Sequence, residues 1–232
     1  MIIFSVILAN LFPVLVIPLF YKTSPLTDEE VTQKIYNLCE RANLKIKGLY
    51  TINLSSKTKK ANAAVVGLGN TKRILLGDNL LNNFELDEIL SALAHEITHY
   101  QEHHIWWLII WQSAITFVLF FIFFKISPFF YALAGFKNIS DIGAFPLLIA
   151  IFVILTFLFK PLGSAISRYY ERRADAGAIK LTENPEAFIR LIARFCNEQL
   201  TIAYPSPLIE WYAYSHPSPG KRISFAEIWK KG

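Results

Sequence analysis

Residues 95–124 read HEITHYQEHHIWWLIIWQSAITFVLFFIFF, and the order of its two halves decides the architecture. Side chains four apart share a helix face, so His95 and His99 can hold one metal ion with Glu96 beside it. The stretch 105–124 that follows has no charged residue. It is long enough to cross the hydrocarbon core of a bilayer. No Pro or Gly separates the two halves, which predicts a metal-binding helix at the membrane surface.

The rest of the composition agrees with a bilayer. Hydrophobic residues make up 53% of the 232-residue chain and charged residues 18%, with nineteen Phe, too apolar a balance for an ordinary water-soluble surface. The formal charge of +5 comes without a basic run interleaved with aromatics, which argues against a nucleic-acid partner. Cys39 and Cys196 lie far apart and lack a CxxC neighbour, so both are expected as reduced thiols. Two further apolar stretches, 2–20 and 144–159, also read as membrane spans. The first has neither a basic n-region nor a small-residue cleavage site, and reads as an uncleaved anchor. Residues 125–143, with Pro128, Gly135 and Asn138, read as a loop or re-entrant hairpin.

Three spans would put 21–104 and 160–232 on one side of the membrane. These segments carry ten and eleven Lys and Arg, against two (Lys125 and Lys137) around the intervening loop. The positive-inside tendency therefore predicts a multi-pass protein of the cell membrane with its polar portions in the cytoplasm.

The polar portions read as one folded unit. Residues 27–43 form an amphipathic pattern behind a Thr27 cap. Residues 49–54, 61–66 and 73–76 read as strands, with Gly67, Gly69, Asn70 and Gly77-Asp78 as turns, suggesting a small antiparallel sheet. A helix starting near Asn83 runs through His95, and further helices cover 164–180 and 185–200. The expected fold is an α+β membrane protein, mainly helical, with about three transmembrane helices and a zincin-like catalytic domain. Its parts are an anchor at 1–21, a first catalytic portion at 22–104, a membrane hairpin at 105–160 and a second catalytic portion at 161–232.

HExxH on a helix suits Zn²⁺: neutral imidazoles leave the ion electron-poor, and a neighbouring carboxylate can serve as general base and acid. A catalytic zinc takes a third protein ligand. The metzincin pattern would require Gly at 102 and His at 105, where Glu102 and Ile105 stand, so that class is excluded. Glu171-Arg172-Arg173-Ala174-Asp175 instead offers two carboxylates on one helix face. Glu171 is the expected third ligand, and Asp175 is a candidate to accept the second ring N–H of a ligand histidine, against the alternative of an ion pair with Arg168 or Arg172. His103 and His104 read as polar residues at the membrane boundary. His216, before Pro217, is a candidate donor to an oxyanion, or a structural residue.

HEITH at 95–99, ERRAD at 171–175, YSHPSPGKRI at 214–223 and SKTKKANAAVVGLGNTKRILLGDNLL at 56–81 together resemble the membrane zinc-metalloprotease family that includes the CAAX prenyl endopeptidase and HtpX. The resemblance implies His95, His99 and Glu171 as zinc ligands, Glu96 as general base and acid, and Asp175 in support. It implies His216 and Arg222 as residues that bind the transition state or substrate. Asn62 and Ala63 match a strand whose edge would pair with an extended peptide. The tail around 212–217 is similar to the prenyl-endopeptidase branch, although three spans are fewer than that branch carries. The expectation is a zinc metalloendopeptidase holding one Zn²⁺ and cleaving membrane-associated polypeptides. The alternatives are an HtpX-like quality-control protease of misfolded membrane proteins and a noncatalytic zinc-binding scaffold. Its partners would be a polypeptide, lipidated or misfolded, and the lipid bilayer, with a homo-oligomer compatible.

Overall fold

The computed structural model describes residues 20–67, 71–136 and 141–231. The first expected span therefore lies outside the described residues except for Phe20, as do Gly69, Asn70, Lys137 and Asn138.

The polar portion begins with β1 (Thr23–Pro25) and α1 (Glu29–Arg41). The cap of α1 is Asp28 and not the expected Thr27: the Asp28 carboxylate accepts a hydrogen bond from Val31 N at 3.0 Å, with Glu29 and Glu30 completing an acidic first turn. The helix buries Ile35, Leu38 and Cys39. Three strands follow, β2 (Gly48–Ile52), β3 (Ala63–Val66) and β4 (Arg73–Gly77).

The sheet is mixed, which corrects the antiparallel expectation. Its order is β1-β2-β4-β3, with β2 parallel to β4 and the other pairs antiparallel. After β2 the chain travels to the outer edge, forms β3 and folds back, so β4 enters between them running in the direction of β2. Ile74, Leu75 and Leu76 of β4 are all buried, as a central strand covered on both faces requires. Strand alternation carries no sign of direction, so the sequence pattern could not distinguish the two arrangements.

β4 leads directly into a short α2 (Asp78–Asn83) and then α3 (Leu86–Gln101). A capping box starts α3: Glu85 N donates to Glu88 Oε2 at 2.9 Å and the Glu85 side chain accepts from the Glu88 backbone. This helix does not run on into the membrane segment. Its cap is Glu102, and His103 takes a left-handed conformation (φ 55°) before α4 (His104–Leu133) begins.

α4 continues through Pro128 to Leu133, so much of the expected loop is helical. A 3₁₀ turn at Ile142–Ala144 precedes α5 (Phe145–Thr182), which also contains the segment expected as a separate helix at 164–180. Among the described residues, α4 and α5 are the two helices long and apolar enough to cross a membrane. They pack on each other through Leu119, Ile151 and Leu155, while Phe117, Phe124, Phe129, Phe157 and Leu158 stay exposed on their outer faces. At about 1.5 Å per residue, Glu171 lies roughly 39 Å along α5 from Phe145, beyond a hydrocarbon core of about 30 Å.

α6 (Pro185–Glu198), α7 (Pro207–Ala213) and α8 (Pro219–Lys231) complete the chain. α6 contributes Phe188, Leu191 and Ile192 to a core shared with Ile35, Leu76, Leu80, Leu93 and Ile97. α3 and α5 cross closely at Gly177, where any Cβ would fall inside the side chain of Thr98. That close approach brings residues of two distant sequence motifs to one site.

Candidate metal centre

α3 presents His95, Glu96 and His99, and α5 presents Glu171 and Asp175. His95 Nε2 and His99 Nε2 are 3.0 Å apart. Glu171 closes the triangle with Oε2 at 3.3 Å from His95 Nε2 and Oε1 at 3.5 Å from His99 Nε2. Tetrahedral zinc with bonds of about 2.0–2.1 Å has ligand–ligand edges of about 3.3 Å, so the donor spacing fits that ion. These three residues form a group able to hold a metal among the described residues.

The chemistry of the donors points the same way. His95 Nδ1 lies 3.0 Å from Asp175 Oδ1, which favours the proton on that nitrogen and leaves Nε2 as a lone pair directed at a carboxylate. Glu171 Oε2 is buried without a hydrogen-bond donor. Electron-rich atoms converging in this way call for a cation between them. In the metal-free protein the proton takes that part: burial alone would lower the His95 pKa, but Asp175 and Glu171 raise it to about 9. Burial also raises the pKa of Glu96, against the pull of His95 and His99.

Asp175 is not paired with Arg168 or Arg172. It receives two hydrogen bonds from Arg222, Nε to Oδ2 at 2.9 Å and Nη2 to Oδ1 at 2.6 Å, so the guanidinium is tied to the carboxylate beneath His95. Arg168 instead donates to the carbonyls of Glu210 and Tyr214, at 3.2 and 2.6 Å. The buried Glu210 carboxylate accepts from Ser218 N at 3.0 Å. These bonds clamp the loop carrying His216, whose Nε2 stands 3.4 Å from Glu171 Oε1. Partial burial lowers the His216 pKa, more than the nearby Glu171 carboxylate raises it.

A cleft of about 500 Å³ opens beside this cluster and is lined by Asn62, Ala63, His95, Glu96, His216 and Arg222, among others. One wall is β3, an edge strand. Gly77 N donates to Asn62 O at 2.8 Å, and the register continues Ala64↔Leu75 and Val66↔Arg73. By the alternation of antiparallel ladders, Ala63 and Val65 therefore direct their N–H and C=O groups away from β4. The carbonyl of Asn62, by contrast, is already engaged.

His104 has a place in this site that the sequence did not reveal. Its ring is 1% exposed, with Nδ1 3.0 Å from His99 Nδ1 and Nε2 2.8 Å from Glu102 Oε2. On a continuous helix His103, four residues after His99, would share the His99 face; the left-handed turn at His103 delivers His104 there instead. The polar run Gln101-Glu102-His103-His104 ahead of an apolar span was the available signal.

The model of Peptidase family M48 matches residues 25–230. The chain is 34% identical over 228 residues to the uncharacterized metalloprotease YhfN of Bacillus subtilis, covering 97% of this chain and 54% of that protein. It is 32% identical over 239 residues to CAAX prenyl protease 1 of Saccharomyces cerevisiae, covering 95% and 52%. The crystal structure of S. mikatae Ste24p superposes with a TM-score of 0.84 at 30% identity, over 97% of this chain and 56% of that one. The chain thus spans about half the length of the curated relatives it matches.

Proposed function

The chain belongs to peptidase family M48, and from that premise we propose that it is a membrane-embedded zinc metalloendopeptidase, with His95, His99 and Glu171 as the metal ligands. The observation that carries this reading is the convergence of three donors, 3.0–3.5 Å apart, on one point beside a cleft. When bound, zinc would supply a Lewis acid that polarises the scissile carbonyl and makes water acidic enough to be deprotonated near neutral pH.

The chain's own groups account for the remaining work. Ala63 and Val65 offer an outward N–H and C=O to an extended peptide, which aligns the scissile amide without demanding a particular side-chain sequence. Glu96, in the cleft wall, takes the proton of the attacking water and returns it to the leaving amine, a transfer helped by a carboxyl pKa that burial has raised. His216, neutral near pH 7 because its pKa is lowered, donates a ring N–H to the oxygen on which charge develops. Arg222 holds Asp175, and Asp175 holds the His95 ring with Nε2 facing the metal position.

The substrate would be a polypeptide segment at the membrane, with the catalytic portions on the cytoplasmic side. Relatives named CAAX prenyl protease 1 make prenylated tails the first class to assay. The purified protein, stripped with a zinc chelator and reloaded, should lose and regain cleavage of such a peptide. Full cleavage by protein holding less than one-tenth of an equivalent of metal would sink the zinc assignment.

A further inference from the structure

We infer that His104 is a positioning residue for the metal centre, setting the tautomer of His99 through a relay that ends at Glu102 and Arg173. This rests on the metal site proposed above and extends it to residues outside the ligand set. His95 has the usual orienting partner, a carboxylate. His99 has no carboxylate on its Nδ1; it has the Nδ1 of another imidazole, at 3.0 Å.

Two facing ring nitrogens can bond only if one carries a proton and the other a lone pair. The far end of His104 decides which. Its Nε2 lies 2.8 Å from Glu102 Oε2, and the same oxygen lies 2.6 Å from Arg173 Nε. A carboxylate paired with a guanidinium is an acceptor, so His104 Nε2 carries a proton and donates. In neutral His104 the Nδ1 is then an acceptor, and His99 Nδ1 must donate to it. The remaining nitrogen of His99, Nε2, is left as a lone pair beside His95 Nε2 and Glu171 Oε1, which is the form a metal needs.

The surroundings hold the relay in place. His104 is 1% exposed and its ring packs on His99 at 4.9 Å and on Tyr170 at 4.8 Å between centroids. Glu102 and Arg173 lie nearer the surface, their side chains 32% and 50% exposed. Arg173 belongs to the same ERRAD run as Glu171 and Asp175, so one turn and a half of α5 provides a ligand, the support for one histidine and the terminal cation for the other.

The test uses the purified full-length chain in detergent and reads zinc affinity by chelator competition, with thermal unfolding of the metal-free protein as the control for folding. His104→Phe keeps the ring packing but removes the acceptor, and zinc should bind roughly 10- to 100-fold more weakly. His104→Gln can still accept at its carbonyl and donate through its amide, and should stay within about threefold of the parent. Glu102→Ala, at a partly exposed position that serves should His104→Phe not fold, is expected to weaken zinc by severalfold. The chain has five histidines, so ¹⁵N-histidine spectra give a direct second readout: His99 should carry its proton on Nδ1 in the zinc-loaded parent. Unchanged affinity in both His104→Phe and Glu102→Ala, equal losses in the Phe and Gln variants, or a proton on Nε2 of His99 in metal-free protein at pH 8 would each overturn the relay. If the parent itself fails to bind zinc, the metal site falls and the relay with it; a parent that binds tightly beside unaffected variants refutes the relay alone.

Discussion

Replacing Gly177 with Ala should disturb metal binding although residue 177 touches no ligand. A Cβ built there stands 2.9 Å from Thr98 Cβ and overlaps both outer atoms of the Thr98 side chain. Thr98 cannot easily turn aside, because it is buried and its hydroxyl donates to Ala94 O at 2.8 Å. The new Cβ would lie 2.3 Å from Thr98 Cγ2 and ordinary carbon contacts begin near about 3.5 Å, so α5 must withdraw from α3 by roughly 1 Å or distort by an equivalent amount. Glu171 sits on the withdrawing helix, whereas metal–ligand distances tolerate only about 0.2 Å. Overpacking costs about 1–3 kcal/mol, and Ala recovers about 1 kcal/mol of helix propensity relative to Gly. The net loss of stability is therefore modest, about 0–2 kcal/mol, while zinc affinity should fall by roughly tenfold or more, the scale of losing a supporting contact. Thermal unfolding of the metal-free variant and a chelator-competition titration separate the two effects. Parental zinc affinity in Gly177→Ala would refute the claim that this crossing sets the ligand spacing.

In the metal-free protein the folded-state pKa of His95 is about 9, above its unfolded value of about 6.5. The stability from that proton is full below about pH 6.5 and is lost between 6.5 and 9. Zinc must displace the same proton, so its apparent affinity should climb over that interval in titrations at constant ionic strength; a plateau from pH 7 would contradict the assignment. Arg222→Ala strands the buried Asp175 carboxylate and should cost about 3–5 kcal/mol in a denaturant titration, together with weaker metal binding; a loss under 1 kcal/mol would show that Asp175 does not depend on the pair. Val65→Pro removes an N–H that points away from β4, so folding and zinc content should persist while peptide cleavage drops by roughly tenfold. Unchanged kcat/KM would exclude edge pairing at that residue.

Much of the site was legible because helical periodicity is a local property. His95 and His99 are four residues apart, as are Glu171 and Asp175, and each pair was bound to share a face whatever the tertiary structure. The two apolar spans were legible for a similar reason, since hydropathy reads out directly as length. Their ends were less so: Pro128 and Pro161 lie within helices, although local rules treat such a residue as a break.

What escaped the sequence depends on long-range or exceptional backbone. β4 lies beside β2 because β3 is carried to the outer edge, a choice made by the connection and the packing on both faces of Ile74–Leu76 and invisible in strand alternation. Asp28 displaced Thr27 as cap, within the uncertainty that adjacent capping residues always leave. The left-handed conformation of His103 has no Gly or Asn to announce it, yet it exchanges His103 for His104 at the back of the metal centre. Gly177 likewise looks like a weak point in a helix until α3 is brought against it.

Glu96→Gln in the purified protein, with zinc content and hydrolysis of a prenylated peptide measured on the same sample, separates metal binding from catalysis. The variant should hold one zinc per chain, as in the parent, with cleavage reduced by about 10²- to 10⁴-fold because the proton acceptor is gone. Cleavage at the parental rate by the zinc-loaded Glu96→Gln protein would contradict that role of Glu96.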